Sequence, residues 1–367
     1  MFGDCMSESP DDDGVMREKL FEISEALKKE GIDVEISDDN QTTLNNIIRS
    51  FCSKAGEEQF KNIVADLPRK LDEYHSQLYG FEERLYYRWS MPFSLFEYFI
   101  LQSQEINGDF HKEFGGIAAE EKDLVFGILL RLQAKACIVA KEVLTLMRSG
   151  YPDGASARCR TLNEIVVISF FIVKHGNDVA ERYMRHRVIE DYQAAKEFQD
   201  YCKISGEIPF SNEEMEKLHE NCEALIEQYK KPFDKRTFNK RYGWAANALN
   251  NPNPNFTDLV RDMEFSRLLP SYRMASWAIH ANSKCMMFKL ASPDEGFILT
   301  GESNIGMADP GQSAAISLLQ INFALLNLKI SIENLARIRS MMLLVNQINK
   351  AFIDVHNSID LSDRSIS

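Results

Sequence analysis

Three features of this sequence predict an all-α fold. Glycine and proline are sparse, 18 and 11 in 367 residues, which disfavours a sandwich of short strands joined by tight turns. Leu, Met, Ala, Glu and Lys, strong helix formers, are prominent. Apolar residues recur at three- and four-residue steps, above all near the carboxyl end. The expected architecture is a multi-helix bundle with a long C-terminal helix and at most one short β-hairpin.

In chain order, residues 1–14 form an acidic tail without an apolar run, expected to be disordered. Val15 to Glu30 mixes apolar and charged residues at helical spacing, and Gly31 with IDVEIS marks a break or short strand. Helices are expected over Thr42–Ala55, Glu58–Asp66, Arg69–Trp89 and Phe93–Gln104, with Pro68 at the start of the third, where proline is tolerated. Ile106 to Gly116, INGDFHKEFGG, has the Gly and Asp content of a linker. The domain plan is therefore a tail at 1–14, a helical region at 15–110, a helical core at 117–355 and a flexible tail at 356–367.

The core opens with a helix over about Ala118–Arg148, stopped by Ser149-Gly150-Tyr151-Pro152. The next, Ala155–Lys174 with Asp153 as N-cap, is apolar on most sides toward its end, which marks a central buried helix. It ends at His175-Gly176-Asn177. Helices follow at Asp178–Cys202, Asn212–Tyr229, Ala245–Asn255, Leu259–Leu269 and Tyr272–Leu290. Ala291–Gly311 reads as loop, with GFILTG as the hairpin arm. Ile316, Leu319, Phe323, Leu326 and Ile330, then Leu335, Ile338, Met342 and Val345 after a phase shift, predict a last helix of roughly 35 residues.

Seven scattered cysteines without C-x-x-C spacing predict reduced thiols and a cytoplasmic protein. The longest apolar run, Ile165–Val173, is far short of a membrane span, so no membrane partner is expected. Of the net charge of −13, residues 1–100 carry −10, from 21 acidic and 11 basic side chains. That bias argues against non-specific nucleic-acid binding in the amino-terminal part. P-loop, Rossmann, zincin, nucleophile-elbow and kinase patterns are absent, and no cofactor is expected.

Four polar constellations remain. In LLPSYRMASWAIHANS, Arg273 and His280 lie two helical turns apart, with Ser276 and Trp277 between them, so both side chains can face one cleft. A guanidinium can hold a phosphate and an imidazole can exchange a proton near neutral pH. The alternative is a structural role, His280 bonded within the core and Arg273 paired with a carboxylate. In ARCRTLNEIVV, Arg160 and Glu164 share a face of the buried helix, and Arg158 lies on another. They line the same cleft as substrate-binding groups, or they form a buried ion pair. In ERYMRHRVIEDYQ, His186 and Glu190 have metal-ligand spacing but too few companions, so a solvated face is expected and no metal. In YKKPFDKRTFNKRYGW, Lys235, Arg236, Lys240 and Arg241 interleave with aromatics, as single-stranded nucleic acid would require, or form a connector whose rings pack on the core.

The spacing of Arg273 and His280 is similar to the R-x(4–6)-H signature of HEPN-type ribonucleases, with Met274 where that superfamily has a polar residue. That resemblance implies metal-independent RNA cleavage by a homodimer. More broadly, GYPDGASARCRTLNEIVV, RYMRHRVIEDY and YRMASWAIHANS resemble a bacterial helical family, domain of unknown function 5677, over roughly Ala118–Val345. The resemblance rests on Arg160 with Glu164 and on Ser276 with His280, and implies that Arg160, Glu164 and His280 meet in one pocket. The leading expectation is a cytosolic bacterial ribonuclease in antiviral defence or a toxin-like role, with His280 as acid–base group and Arg273 holding RNA phosphate. The alternative is a non-catalytic sensor or scaffold held together by a buried polar cluster.

Overall fold

The computed structural model describes residues 41–266, 269–277 and 299–359, with Lys28, Ile279, Ser283 and Leu290 as single positions. The expectations for the acidic tail, Val15–Glu30, the IDVEIS break and Gly296–Ile298 of GFILTG fall outside these residues. Among the described residues every element is a helix and none is a strand. The all-α expectation is met. No described helix is long and apolar enough to cross a membrane.

The helices are α1 (Gln41–Glu120), α2 (Leu124–Arg148), α3 (Pro152–Ser205), α4 (Asn212–Tyr229), α5 (Lys235–Phe238), a 3-10 turn at Gly243–Ala245, α6 (Ala246–Leu249), α7 (Phe256–Asp262), α8 (Leu269–Trp277), α9 (Ala308–Leu326) and α10 (Ile332–Ser358). By contacts the chain divides into Met1–Gly80 and Phe81–Ser367.

In the first unit, residues 53–80 of α1 place no buried side chain. Helix surface ion pairs decorate this stretch, Arg69 with Asp66 and Glu73 at 2.7 Å each. The break expected at Pro68 does not occur, and Pro68 lies inside the helix.

In the second unit, the linker expected at Ile106–Gly116 is also helix. Ile106, Phe110 and Ala118 fall on one face and are buried there. Burying a Phe or Ile contributes about 1.5–3 kcal/mol, which outweighs the roughly 1 kcal/mol that a mid-helix glycine costs. The same face carries Leu85, Trp89, Phe93, Phe96 and Phe99, all essentially inaccessible. The true break comes at Glu121–Asp123, where Lys122 takes φ 54° and the Asp123 carboxylate caps α2 by accepting from Phe126 N at 3.0 Å.

α3 is the hub, packed against α2, α4, α7, α8 and α9. Its amino-terminal half is the central helix expected, with Leu162, Val166, Val167, Phe171 and Ile172 inaccessible. Asp153 is not its cap; that position is Tyr151, and the Asp153 carboxylate instead accepts from Leu290 N at 2.9 Å. At Gly176 the backbone leaves the helix (φ 75°, ψ −158°), a conformation only glycine takes easily, so α3 is two helices joined at a kink. The break read at His175-Gly176-Asn177 is this kink. Just before it, Asp262 of α7 receives Lys174 Nζ at 3.0 Å and His175 Nε2 at 2.8 Å.

The helix expected over 35 residues is split into α9 and α10. Ser331 caps α10 by accepting from Asn334 N at 3.0 Å, so the phase shift in the apolar stripe was a turn. The stripe read from sequence is only partly the buried one in α9: Leu326 is inaccessible and Leu319 half-buried, but Ile316 and Phe323 are 40% exposed, while Ala314, Ala315, Leu318 and Ile321 are inaccessible. Both faces are apolar, so periodicity alone does not separate them. The end of the bundle is closed by Phe352 of α10, whose ring meets Trp89 and Phe93 at 6.0 and 6.2 Å. That ring lies against Gly311 of α9, where an added Cβ would come within 2.3 Å of it.

A polar network crosses the middle of this apolar bundle. Gln133 of α2 donates from Nε2 to Ser103 O at 2.7 Å and Asn322 Oδ1 at 2.8 Å. Asn322 of α9 donates to Ser103 Oγ at 2.8 Å. Asn107 of α1 donates to Gln133 Oε1 at 2.6 Å and to Leu130 O at 2.9 Å. Ser103, Gln133 and Asn322 are wholly inaccessible.

Two outcomes follow from this packing. Asn322→Leu takes one buried partner each from Gln133 and Ser103 and should destabilise by about 2–4 kcal/mol. Urea unfolding checks it, and Asn322→Leu with Gln133→Leu should cost clearly less than the sum of the two singles. Gly311→Ala should cost about 1–3 kcal/mol by overpacking against Phe352, seen as a lower melting temperature with unchanged helical circular dichroism.

Candidate functional site

The apolar first half of α3 carries two ionisable residues on one face, four apart, and a charge pair so placed needs partners. It finds them in α8. The Tyr272 hydroxyl accepts from Arg160 Nη2 at 2.7 Å and donates to Glu164 Oε1 at 2.8 Å. Arg160 Nη2 also lies 3.3 Å from Glu164 Oε1, and both side chains are about four-fifths buried. The guanidinium sits over the Tyr272 ring, 4.7 Å from its centroid. Arg160, Glu164 and Tyr272 thus form a closed clasp between α3 and α8. Burial, and then the Glu164 carboxylate accepting its hydrogen bond, push the Tyr272 phenol up to about 12. The phenol is therefore a neutral donor across the physiological range.

Stacking extends the clasp. The Tyr272 ring stacks on Phe256 at 4.6 Å, and Phe256 meets Tyr242 at 6.4 Å. Tyr242 lies under the Arg241 guanidinium at 5.5 Å. A row of rings therefore connects the basic segment to the clasp. Within that segment the aromatics turn inward: Phe238 and Trp244 are buried, and Tyr229 stacks on Phe238 at 5.0 Å. Lys235 pairs with Glu227 at 3.2 Å, and Lys240 Nζ donates to Pro252 O at 3.0 Å. Arg236 and Arg241 are exposed. His186 is buried, with Nε2 at 3.1 Å from Phe238 O and 2.9 Å from Lys240 O. Its ring is engaged in holding this loop, and Glu190 stands 3.4 Å from Nδ1.

Of the residues predicted from sequence, Arg160 and Glu164 do meet. Arg273, next to Tyr272 on α8, is exposed and has no ion-pair partner among the described residues. Ser276 is half-buried and donates its hydroxyl to Tyr272 O at 2.8 Å. His280 lies outside the described residues. Arg158 points the other way, as expected, and donates to Glu142 of α2 at 2.7 Å. Tyr272 was missed. The signal for it was the need of an Arg–Glu pair on an apolar helix for a third, amphipathic partner. Two clefts, of about 660 and 540 Å³, lie elsewhere, one between the end of α1 and the start of α2, the other beside Ile138 and Arg158.

A family of unknown function, DUF5677, matches residues 126–297. The match takes in the clasp, Arg273, Ser276 and His280, and ends before α9. The resemblance read from Arg160 with Glu164 and Ser276 with His280 is borne out over that stretch. No match supports the likeness to HEPN-type ribonucleases. No curated protein and no solved structure matches the chain.

Tyr272→Phe removes one hydroxyl that serves two charged groups, and should destabilise by about 1.5–3 kcal/mol. Glu164→Gln should cost less when combined with Tyr272→Phe than alone, because the two changes break one network. Thermal unfolding of the four proteins measures both.

Proposed function

We propose that this family core is a non-catalytic helical scaffold or sensor, in which the clasp fastens the α8 segment onto the central helix. The supporting observation is mutual engagement: the Tyr272 hydroxyl joins Arg160 to Glu164, and Arg160 Nη2 faces both, while Arg160 Nε is buried without a hydrogen-bond partner. A cation already neutralised at 3.3 Å is poorly placed to hold a phosphate, and a phenol pushed up to about 12 is a poor proton shuttle near neutral pH. On this reading the polar residues singled out in the sequence position one segment on another. Whatever the protein senses acts by strengthening or opening that attachment.

A second reading, metal-independent cleavage of RNA by a homodimer, is favoured by Arg273. It is exposed on the same helix with no ion-pair partner among the described residues, and a free guanidinium suits a phosphate. Here Arg273 holds the phosphodiester, His280 moves a proton to or from the ribose 2′-hydroxyl, and Arg236 and Arg241 extend the cationic track. A role in bacterial defence or toxicity belongs to this reading.

The two readings separate in one set of variants of the full chain. For a scaffold, Tyr272→Phe should lower the melting temperature by several degrees, Arg273→Ala should leave it within about a degree, and purified wild type should leave single-stranded RNA intact. RNA cleavage by wild type that is lost in folded His280→Ala would overturn the scaffold reading and establish the second.

A further inference from the structure

The stretch of α1 in the first unit presents an unusual balance. A helix draws most of its stability in water from packing an apolar face. Residues 53–80 bury nothing, and Pro68 inside the helix removes a backbone hydrogen bond. Yet the stretch has a well-ordered apolar face. Phe60, Val64, Leu67, Leu71, Tyr74 and Leu78 advance by four, three, four, three and four residues. That is the seven-residue repeat whose 3.5-residue period keeps one seam facing a partner helix over a supercoil. Phe60, Ile63, Val64, Leu67 and Leu71 are between 42% and 65% exposed.

The charges are consistent with such a seam. With Phe60 and Leu67 at d and Val64 and Leu71 at a, the charged groups Asp66, Arg69, Asp72 and Glu73 fall at b, c and f, away from it. Arg69 is satisfied there by Asp66 and Glu73 on its own helix. The positions beside the seam hold Lys61, Pro68 and His75 on one flank and Ile63, Lys70 and Gln77 on the other. Lys70 is paired with Asp66 at 3.3 Å. No like-charged block therefore opposes an identical helix.

The geometry points to a two-stranded coiled coil between residues 60–78 of two copies of this chain. An identical helix matches the stripe in length and period, and a closed pair is the simplest symmetry that covers it. Two such stripes would bury on the order of 1,000 Å², at the lower edge of specific interfaces. The inference rests on α1 alone; it is independent of the scaffold reading, and a dimer through α1 does not by itself supply the RNA cleavage of the second.

Light scattering after size-exclusion chromatography of the full chain at micromolar concentration tests it. Wild type should have the mass of two chains. Leu67→Glu with Leu71→Glu should have the mass of one, while Asn62→Glu with Ser76→Glu, which adds the same charge on the opposite face, should keep two. All three should keep most of the helical circular dichroism signal, which comes from the helices of the second unit. A monomeric wild type, as expected if another segment of the same chain or a different protein covers the stripe, overturns the inference. So does a dimer that survives Leu67→Glu with Leu71→Glu.

Discussion

The arrangement of the second unit depends on polar groups sealed inside hydrocarbon. Apolar side chains tolerate sliding, since one leucine substitutes for another in a neighbour's groove. Ser103, Gln133 and Asn322 do not. Each comes from a different helix, and each is satisfied only when α1, α2 and α9 sit in one register. Sliding any helix by one turn, about 5.4 Å, would leave several buried donors and acceptors without partners at roughly 1–3 kcal/mol each. The network therefore selects one packing among many that the hydrophobic effect alone would accept. Burial pushes the thiols of Cys137 and Cys159 up to about 12, so both stay protonated, and Cys159 Sγ donates to Pro310 O at 3.3 Å.

Much of this fold was legible because local signals and burial agreed. The stop at Ser149-Gly150, the helix Asn212–Tyr229 and the interruption at Gly176 are each set by residues within one turn of the event. Failures arose where distant packing overrode a local signal. Gly115 and Gly116 read as linker but ride on a helix held by Ile106, Phe110 and Ala118. In α9 the apolar residues Ile316 and Phe323 face outward, and the buried face has polar Asn322 at its centre. Its partners come from helices about 190 and 220 positions away in sequence, and no periodicity reports that.

The candidate site divides along the same line. Arg160 and Glu164 were visible as a pair because their spacing is local and their helix is apolar. The pair's need of an amphipathic partner was visible too, but not that Tyr272, 108 positions further along the chain, supplies it. The interleaved rings of the basic segment suggested stacking on bases, yet Phe238, Trp244 and Tyr229 stack on the protein itself. Sequence shows which side chains can recognise something; folding decides whether the protein or a partner is recognised. The clasp and the basic segment share a row of aromatic rings, so a partner meeting Arg241 would touch the same stack that seats α8.

The kink at Gly176 has a mechanical consequence. An unbroken α-helix transmits force along its ladder of backbone hydrogen bonds, like a rod. α3 has a joint at Gly176, with its hydrocarbon-buried half on one side and its solvated, charged half on the other. The joint lets the two halves follow separate axes, with the Lys174–His175–Asp262 contacts holding the end of the first and Val179, Ala180 and Ile189 seating the start of the second.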